Sequence, residues 1–164
     1  MSDEILRLRM PIAIDYQYSA GPGTSAHLHG LQAGKLIGHA CPSCSLVLFP
    51  PRNGVCAKCG VLLNTAEVEI ADEGTITSFC IVNVPFLGQK IKPPYVAATI
   101  LLDGADIGMQ HLIQGCDAHD VRMGMRVKAV WRPAAEWGPS MENIEHFEPS
   151  GEPDAAFETY GKHL

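Results

Sequence analysis

The residues best equipped for chemistry are four cysteines in two pairs. Cys41-Pro42-Ser43-Cys44 is followed, after 11 residues, by Cys56-Ala57-Lys58-Cys59-Gly60. Two Cys-x-x-Cys pairs on either side of a short loop place four thiolates where they can converge on one tetrahedral cation. Soft sulfur ligands in a closed four-coordinate shell select Zn²⁺. Gly60 supplies the backbone freedom that a turn after the second pair requires. Four thiolates leave no open position for water, so Cys41, Cys44, Cys56 and Cys59 are expected to hold one structural zinc rather than a catalytic one. A thioredoxin-type redox pair would need a βαβ context, which neither pair has, and disulfides would need an oxidising compartment.

Other reactive side chains are weaker candidates. Cys116, Asp117 and His119 invite a triad reading, but three near neighbours in sequence seldom have triad geometry, and Asp117 is better used as a cap. Cys80 falls on the apolar face of a strand and reads as a small core residue. His27 and His29, two apart on a short helix, point in different directions and read as surface histidines. His39, two residues before a ligand, reads as a residue on the ribbon surface.

The elements that position these groups follow from pattern. The loop between the cysteine pairs is short and suits a rubredoxin-like ribbon. Residues 1–24 are broken by Pro11, Gly21, Pro22 and Gly23. A short helix is expected from Ser25, capped by Thr24 or Ser25 and ended at Gly34. Residues 35–40 form a strand entering the first knuckle, and residues 46–49 lead into the Pro50-Pro51-Arg52 turn. Period-two patterning then predicts a strand from Gly74 to Val84, with Ile76, Cys80, Val82 and Val84 on one face. Tyr95 to Leu102 is a second strand, Asp103-Gly104 a hairpin turn, and Ile107 to Ile113 a third strand. Gln114 to Gly124 reads as a short helical turn. Arg126 to Arg132 and Asn143 to Phe147 complete the set.

Three strands, a short helix and two strands is the order of a five-stranded OB barrel. The fold class is therefore mainly β: a short N-terminal helix, a rubredoxin-like zinc ribbon and a five-stranded OB-fold barrel. The corresponding organisation is an N-terminal extension with a short helix over 1–34, the ribbon over 35–64, the barrel over 65–148 and a tail over 149–164.

Charge narrows the function. Residues 1–64 carry five Lys/Arg against three Asp/Glu, residues 65–148 six against twelve, and residues 149–164 one against three, giving +2, −6 and −2 and a total of −6. The barrel that would have to grip a nucleic acid is the acidic part, which argues against phosphate-backbone binding. No apolar run approaches transmembrane length, Met1-Ser2-Asp3-Glu4 does not begin a signal peptide, and a cytoplasmic location with reduced thiols is expected.

The order of several motifs carries a family resemblance. Gly34-Lys35-Leu36-Ile37, the first knuckle, Phe49-Pro50-Pro51-Arg52 and the second knuckle are followed by Gly74-Thr75-Ile76-Thr77-Ser78-Phe79, Pro94-Tyr95-Val96 and Gly124-Met125-Arg126-Val127. Over roughly residues 25–148 the chain resembles the zinc-ribbon/OB-fold proteins that accompany thiolase-like enzymes. The resemblance implies a non-catalytic accessory subunit of a thiolase-fold enzyme acting on acyl-CoA. Trp131-Arg132-Pro133, Glu136-Trp137-Gly138-Pro139 and Asn143-Ile144-Glu145 look closest to the partner of the aldolase that cleaves steroid side-chain CoA thioesters, as in the C-terminal domain of MaoC-type hydratase subunits. It implies a hetero-oligomer, a heterotetramer around a thiolase dimer, with acyl-CoA as a further ligand. The alternatives are an accessory or CoA-channelling subunit of a thiolase/acyltransferase complex and a stand-alone OB-fold ligand-binding module.

For such a subunit the surface matters more than any catalytic pair. Phe86, Leu87 and Tyr95 are expected at an apolar docking patch, with Trp137 as an aromatic anchor; equally, Phe86 and Leu87 would cover the end of the barrel. Lys35, Arg52 and Lys58 offer cations to CoA phosphates or serve as plain surface charge. Phe157 and Tyr160 give the tail apolar groups that disordered tails lack, so it should dock on a partner or on the protein's own body.

Overall fold

The computed structural model describes Ile5, residues 7–63 and residues 66–164. Helix α1 (Gly21–Gln32) leads into a small antiparallel sheet made of β1 (Leu36–Ala40), β2 (Val47–Leu48) and β3 (Glu67–Ile70) in the order β2-β1-β3. His39 lies opposite Leu48, and Leu36 opposite Ile70. The sheet carries the first cysteine pair at the end of β1. The chain then enters a closed barrel of β4 (Glu73–Val82), β5 (Tyr95–Leu102), β6 (Met109–Ile113), β7 (Arg126–Trp131) and β8 (Ile144–Pro149), ordered β4-β5-β6-β8-β7. β6 and β8 meet in parallel at Ile113 and Phe147, and β7 returns to β4 at Glu73–Thr75. This is the expected five-stranded OB barrel. No helix among the described residues is long and apolar enough to cross a membrane.

One core serves both halves. Leu31 of α1, Leu36 of β1, Phe49 and Ile70 are buried in the same cluster as Ile76, Ile100, Val127, Ile144 and Phe147 of the barrel. Polar bonds tie the seam. Val47 N–H donates to Asp106 Oδ2 at 2.8 Å while Asp106 N–H donates to Val47 O at 2.9 Å. Gly34, at φ +69°, lets the chain leave α1 under the Trp137 ring, where a Cβ would lie 2.4 Å from the indole.

Four local expectations are corrected. Helix α1 begins at Gly21, not Ser25, and no side chain caps it. Pro22 sits in its first turn, where the missing N–H costs no helical bond. Gly23 is needed there because a Cβ would come within 2.6 Å of the His39 ring. Second, that same contact buries His39, while His27 is buried with Nδ1 3.0 Å from Ile37 O and its ring edge-on to Phe49. Neither is a surface histidine; His29 is exposed as expected.

Third, β4 ends at Val82 and contains a bulge between Ile76 and Ser78. Ile76 and Thr77 are buried in succession, Thr77 Oγ1 donating to Thr99 O at 3.2 Å. The extra residue inverts the alternation beyond it, so Ile81 packs on the core and Cys80 is exposed. Fourth, residues 114–124 form hydrogen-bonded turns rather than a helix. Asp117 Oδ1 accepts from His119 N–H, two residues on, at 2.8 Å, an Asx-type closure that competes with helix, and Gly115 and Gly124 hold positive φ at either end.

Candidate metal centre and exposed surfaces

The two knuckles are copies of one backbone device. Cys41 N–H donates to Leu46 O at 2.8 Å and Ser45 N–H to Cys41 O at 3.0 Å; Cys56 N–H donates to Val61 O at 2.8 Å and Gly60 N–H to Cys56 O at 2.9 Å. The residue after each second cysteine takes a left-handed conformation, Ser45 at φ +59° and Gly60 at φ +70°. Ser45 therefore does with a side chain what Gly60 does without one.

This device brings the four sulfurs within 4.8 Å of one another. Cys41 and Cys59 lie 3.5 Å apart, Cys44 and Cys56 3.6 Å apart. Sulfurs about 2.3 Å from a tetrahedral zinc stand about 3.8 Å from each other, so the cluster matches a four-thiolate site. Backbone N–H groups favour thiolate at the leading cysteines. Those of Cys44 and Ser43 lower Cys41 to about 6, and those of Cys59 and Lys58 lower Cys56. Cys44 is pushed up to about 11: the Leu46 N–H lowers it, but burial and three neighbouring sulfurs outweigh that. Four crowded thiols resist joint ionisation unless a cation sits among them, and a divalent metal relieves that conflict.

The remaining candidates are dispersed. Phe86 is 63% exposed and Leu87 fully so, and neither joins the core, so they do not cover the barrel end. Tyr95 is half-buried and lines a cavity of about 600 Å³ with Lys92, Ile113, Cys116, His119 and Val121. Trp137 is spent inside the chain: it packs over Gly34, stacks obliquely on Trp131 at 5.5 Å and donates Nε1–H to Arg132 O at 2.8 Å. Phe157 remains exposed, and Tyr160 is buried beside it in α2 (Phe157–Tyr160), the rings meeting edge-on at 5.4 Å. Lys35 is engaged by Glu69 at 2.8 Å, and Arg52 lines a separate cavity of about 360 Å³ with Gly23 and His39. Burial pushes the Cys116 thiol up, with Asp120 and Asp117 adding to the effect, which suits an inert sulfur better than a nucleophile.

Three residues whose structural roles the sequence did not reveal organise the tail and the seam. Arg126 donates to both Asp103 oxygens at 2.7 and 2.6 Å and to Glu152 at 3.1 Å, joining β7, the β5–β6 turn and the tail. Beside it, Arg122 grips Asp154 with two bonds of 2.6 and 2.8 Å. Asn143 is buried and donates to Leu31 O and Gly138 O. The tail thus docks on the protein's own body.

A four-thiol ribbon packed against a closed five-stranded barrel defines a zinc-ribbon/OB-fold protein. Residues 28–62 match the family described as "ChsH2, rubredoxin-like zinc ribbon domain", and residues 67–132 match "ChsH2, C-terminal OB-fold domain". A "DUF35 domain-containing scaffold protein" of Methanocaldococcus jannaschii is 36% identical over 104 residues, which span 63% of this chain and 72% of that relative. The chain belongs to this DUF35 family of ChsH2-type zinc-ribbon/OB-fold proteins. Among solved structures, one titled "Ltp2-ChsH2(DUF35) aldolase" shares the fold with a TM-score of 0.57 at 22% identity, covering 77% of this chain and 94% of that one. A DUF35 protein of Sulfolobus solfataricus shares it with a TM-score of 0.60 at 24% identity, covering 79% and 87%.

Proposed function

We propose that this chain is a non-catalytic accessory subunit of a thiolase-fold enzyme acting on acyl-CoA, in a complex that releases a short acyl-CoA from a steroid side chain by retro-aldol cleavage. The carrying observation is the contrast between a saturated metal centre and an unsatisfied surface. Cys41, Cys44, Cys56 and Cys59 fill the shell of one zinc with sulfur, leaving no place for water or substrate. Of the Cys116, Asp117 and His119 group, Asp117 is committed to the His119 amide and burial raises the Cys116 thiol. Meanwhile Val84, Phe86 and Leu87 stand in water at one end of β4. Exposed bulky apolar groups on a rigid, metal-stapled body suit a docking subunit.

Kinship with a scaffold protein and with the DUF35 component of an aldolase supports the same reading. The partner supplies nucleophile and base; this chain supplies a rigid surface, with Phe86, Leu87 and Tyr95 at the contact. Phe157 is a separate exposed group on the tail, which is anchored at the other end of β4 and β5 by Arg126 and Asp106. The test is co-expression with a thiolase-like protein from the same organism, with a tag on one partner. A stable complex whose thioester-cleaving activity is lost without this chain is expected. A chain that purifies alone and leaves the partner's activity unchanged would remove the proposal.

A further inference from the structure

Residues 8–18 alternate without a break. Leu8, Met10, Ile12, Ile14, Tyr16 and Tyr18 are large and apolar, and Arg9, Pro11, Ala13, Asp15 and Gln17 stand between them. A period of two is the signature of a strand with one buried face. Yet the segment pairs with no strand, and the six apolar side chains are between 69% (Tyr18) and 84% (Leu8) exposed. Six such groups in water on one short arm are an unfilled interface, since isolated apolar residues are ordinary but a contiguous row is not.

The same molecule has an unfilled acceptor. β4 pairs with β7 only over Glu73–Thr75, and its last bonds on that side join Ile76 to Gly124 and Met125. From Ser78 to Val82 it pairs with β5 alone, and among the described residues no backbone hydrogen bond reaches its other edge. Past the bulge, Ser78, Phe79 and Cys80 are all exposed. An open edge with apolar side chains is a template for an added strand.

We propose that residues 12–18 of one copy add as a strand to the Ser78–Val82 edge of a second copy, and that the exchange is reciprocal. The arm is long enough: seven proline-free residues span about 23 Å, enough to cover the five-residue edge of about 17 Å. Pro11 falls just outside the pairing, where its missing N–H costs nothing. The faces agree, with Ile12, Ile14, Tyr16 and Tyr18 lying over Phe79 and Ile81, and Ala13, Asp15 and Gln17 beside Ser78 and Cys80. Reciprocal exchange makes the contact two-fold and closed, so both edges are covered and no filament propagates. This inference stands independently of the accessory-subunit reading.

The test uses the full-length, zinc-loaded chain alone in solution. Light scattering should give twice the 17.7 kDa of one chain, and the I12D/I14D variant should fall to a single chain with unchanged zinc content and circular dichroism. Cys80 supplies a native reporter. Among A13C, D15C and Q17C, at least one should form an intermolecular disulfide under mild oxidation that the C80S change abolishes. I14C, on the opposite face, should form none. A monomeric full-length chain, a dimer that survives I12D/I14D, or arm amides protected from hydrogen exchange only after a thiolase-like subunit is added would each overturn the proposal.

Discussion

Asn143 Nδ2 donates a 2.9 Å hydrogen bond to Leu31 O across 112 residues of sequence. The same nitrogen reaches Gly138 O at 2.8 Å, and Oδ1 accepts from Gly138 N–H at 3.0 Å. One buried amide thus holds the end of α1, the β7–β8 connection and the start of β8 together. Replacing it with Leu leaves buried backbone groups unsatisfied, at about 1–3 kcal/mol each for those that water does not reach. N143L should lower the unfolding free energy by about 2–3 kcal/mol, read from urea melts, with zinc content unchanged.

The metal centre should dominate ribbon stability. Structural zinc contributes on the order of 10 kcal/mol in small ribbons, and serine replaces thiolate poorly. C41S or C56S should lose the metal by atomic emission and lower the Tm sharply. Because Leu36, Phe49 and Ile70 share the barrel core, the loss should spread into the barrel rather than stay local.

Ser45 offers the reverse test. At φ +59° a residue with a Cβ is strained by about 1–2 kcal/mol where glycine is not, although glycine costs more entropy on folding. S45G should therefore raise the Tm slightly, and the matching G60A change should lower it. Both are read in the zinc-loaded protein.

His111 gives the fold a pH dependence. Burial holds its pKa below the ordinary value, the Leu112 backbone bond opposes this, and His146 adds to it. Since the unfolded chain takes up the proton at about 6.5 and the folded chain only at lower pH, unfolding binds protons in between. Stability should be full above about pH 6.5 and decline as the pH falls from there through the lowered folded value. H111Q should flatten that slope in denaturation curves taken at stepped pH.

Arg126 should control the tail. Its side chain is 15% exposed and is shared by Asp103 and Glu152, whose carboxylates are about half exposed and partly screened. R126M should cost about 1–2 kcal/mol and expose residues 150–164 to limited proteolysis, whereas E152Q should do little to either. F86S/L87S, altering groups that touch no core, should leave stability within about 0.5 kcal/mol while weakening capture of the proposed thiolase-like partner.

Local rules were readable where neighbours along the chain supply the forces. Tyr95–Leu102 is a strand over the residues its alternation marks, and Phe157 and Tyr160 announced a tail that docks. Reading failed where the deciding neighbour is distant. The bulge that turns Cys80 outward answers to the register with β5. The burial of His27 and His39 depends on α1 lying against β1. The strict alternation of residues 8–18 was legible in principle, and was masked by the prolines and glycines around it.

The sequence alone picked out the four cysteines that cluster, the five strands of the barrel in chain order and its acidic charge, because Cys-x-x-Cys spacing, period-two patterning and turn residues act within a few positions. Only the tertiary structure decided which surfaces remain in use. Trp137 and Tyr160, alike in sequence to any exposed anchor, are consumed by Gly34 and by the packing of the tail, while Phe86, Leu87 and the N-terminal arm stay uncovered. Burial is a property of what comes to lie opposite, and that is settled by closing the barrel against the ribbon, not by any stretch of chain on its own.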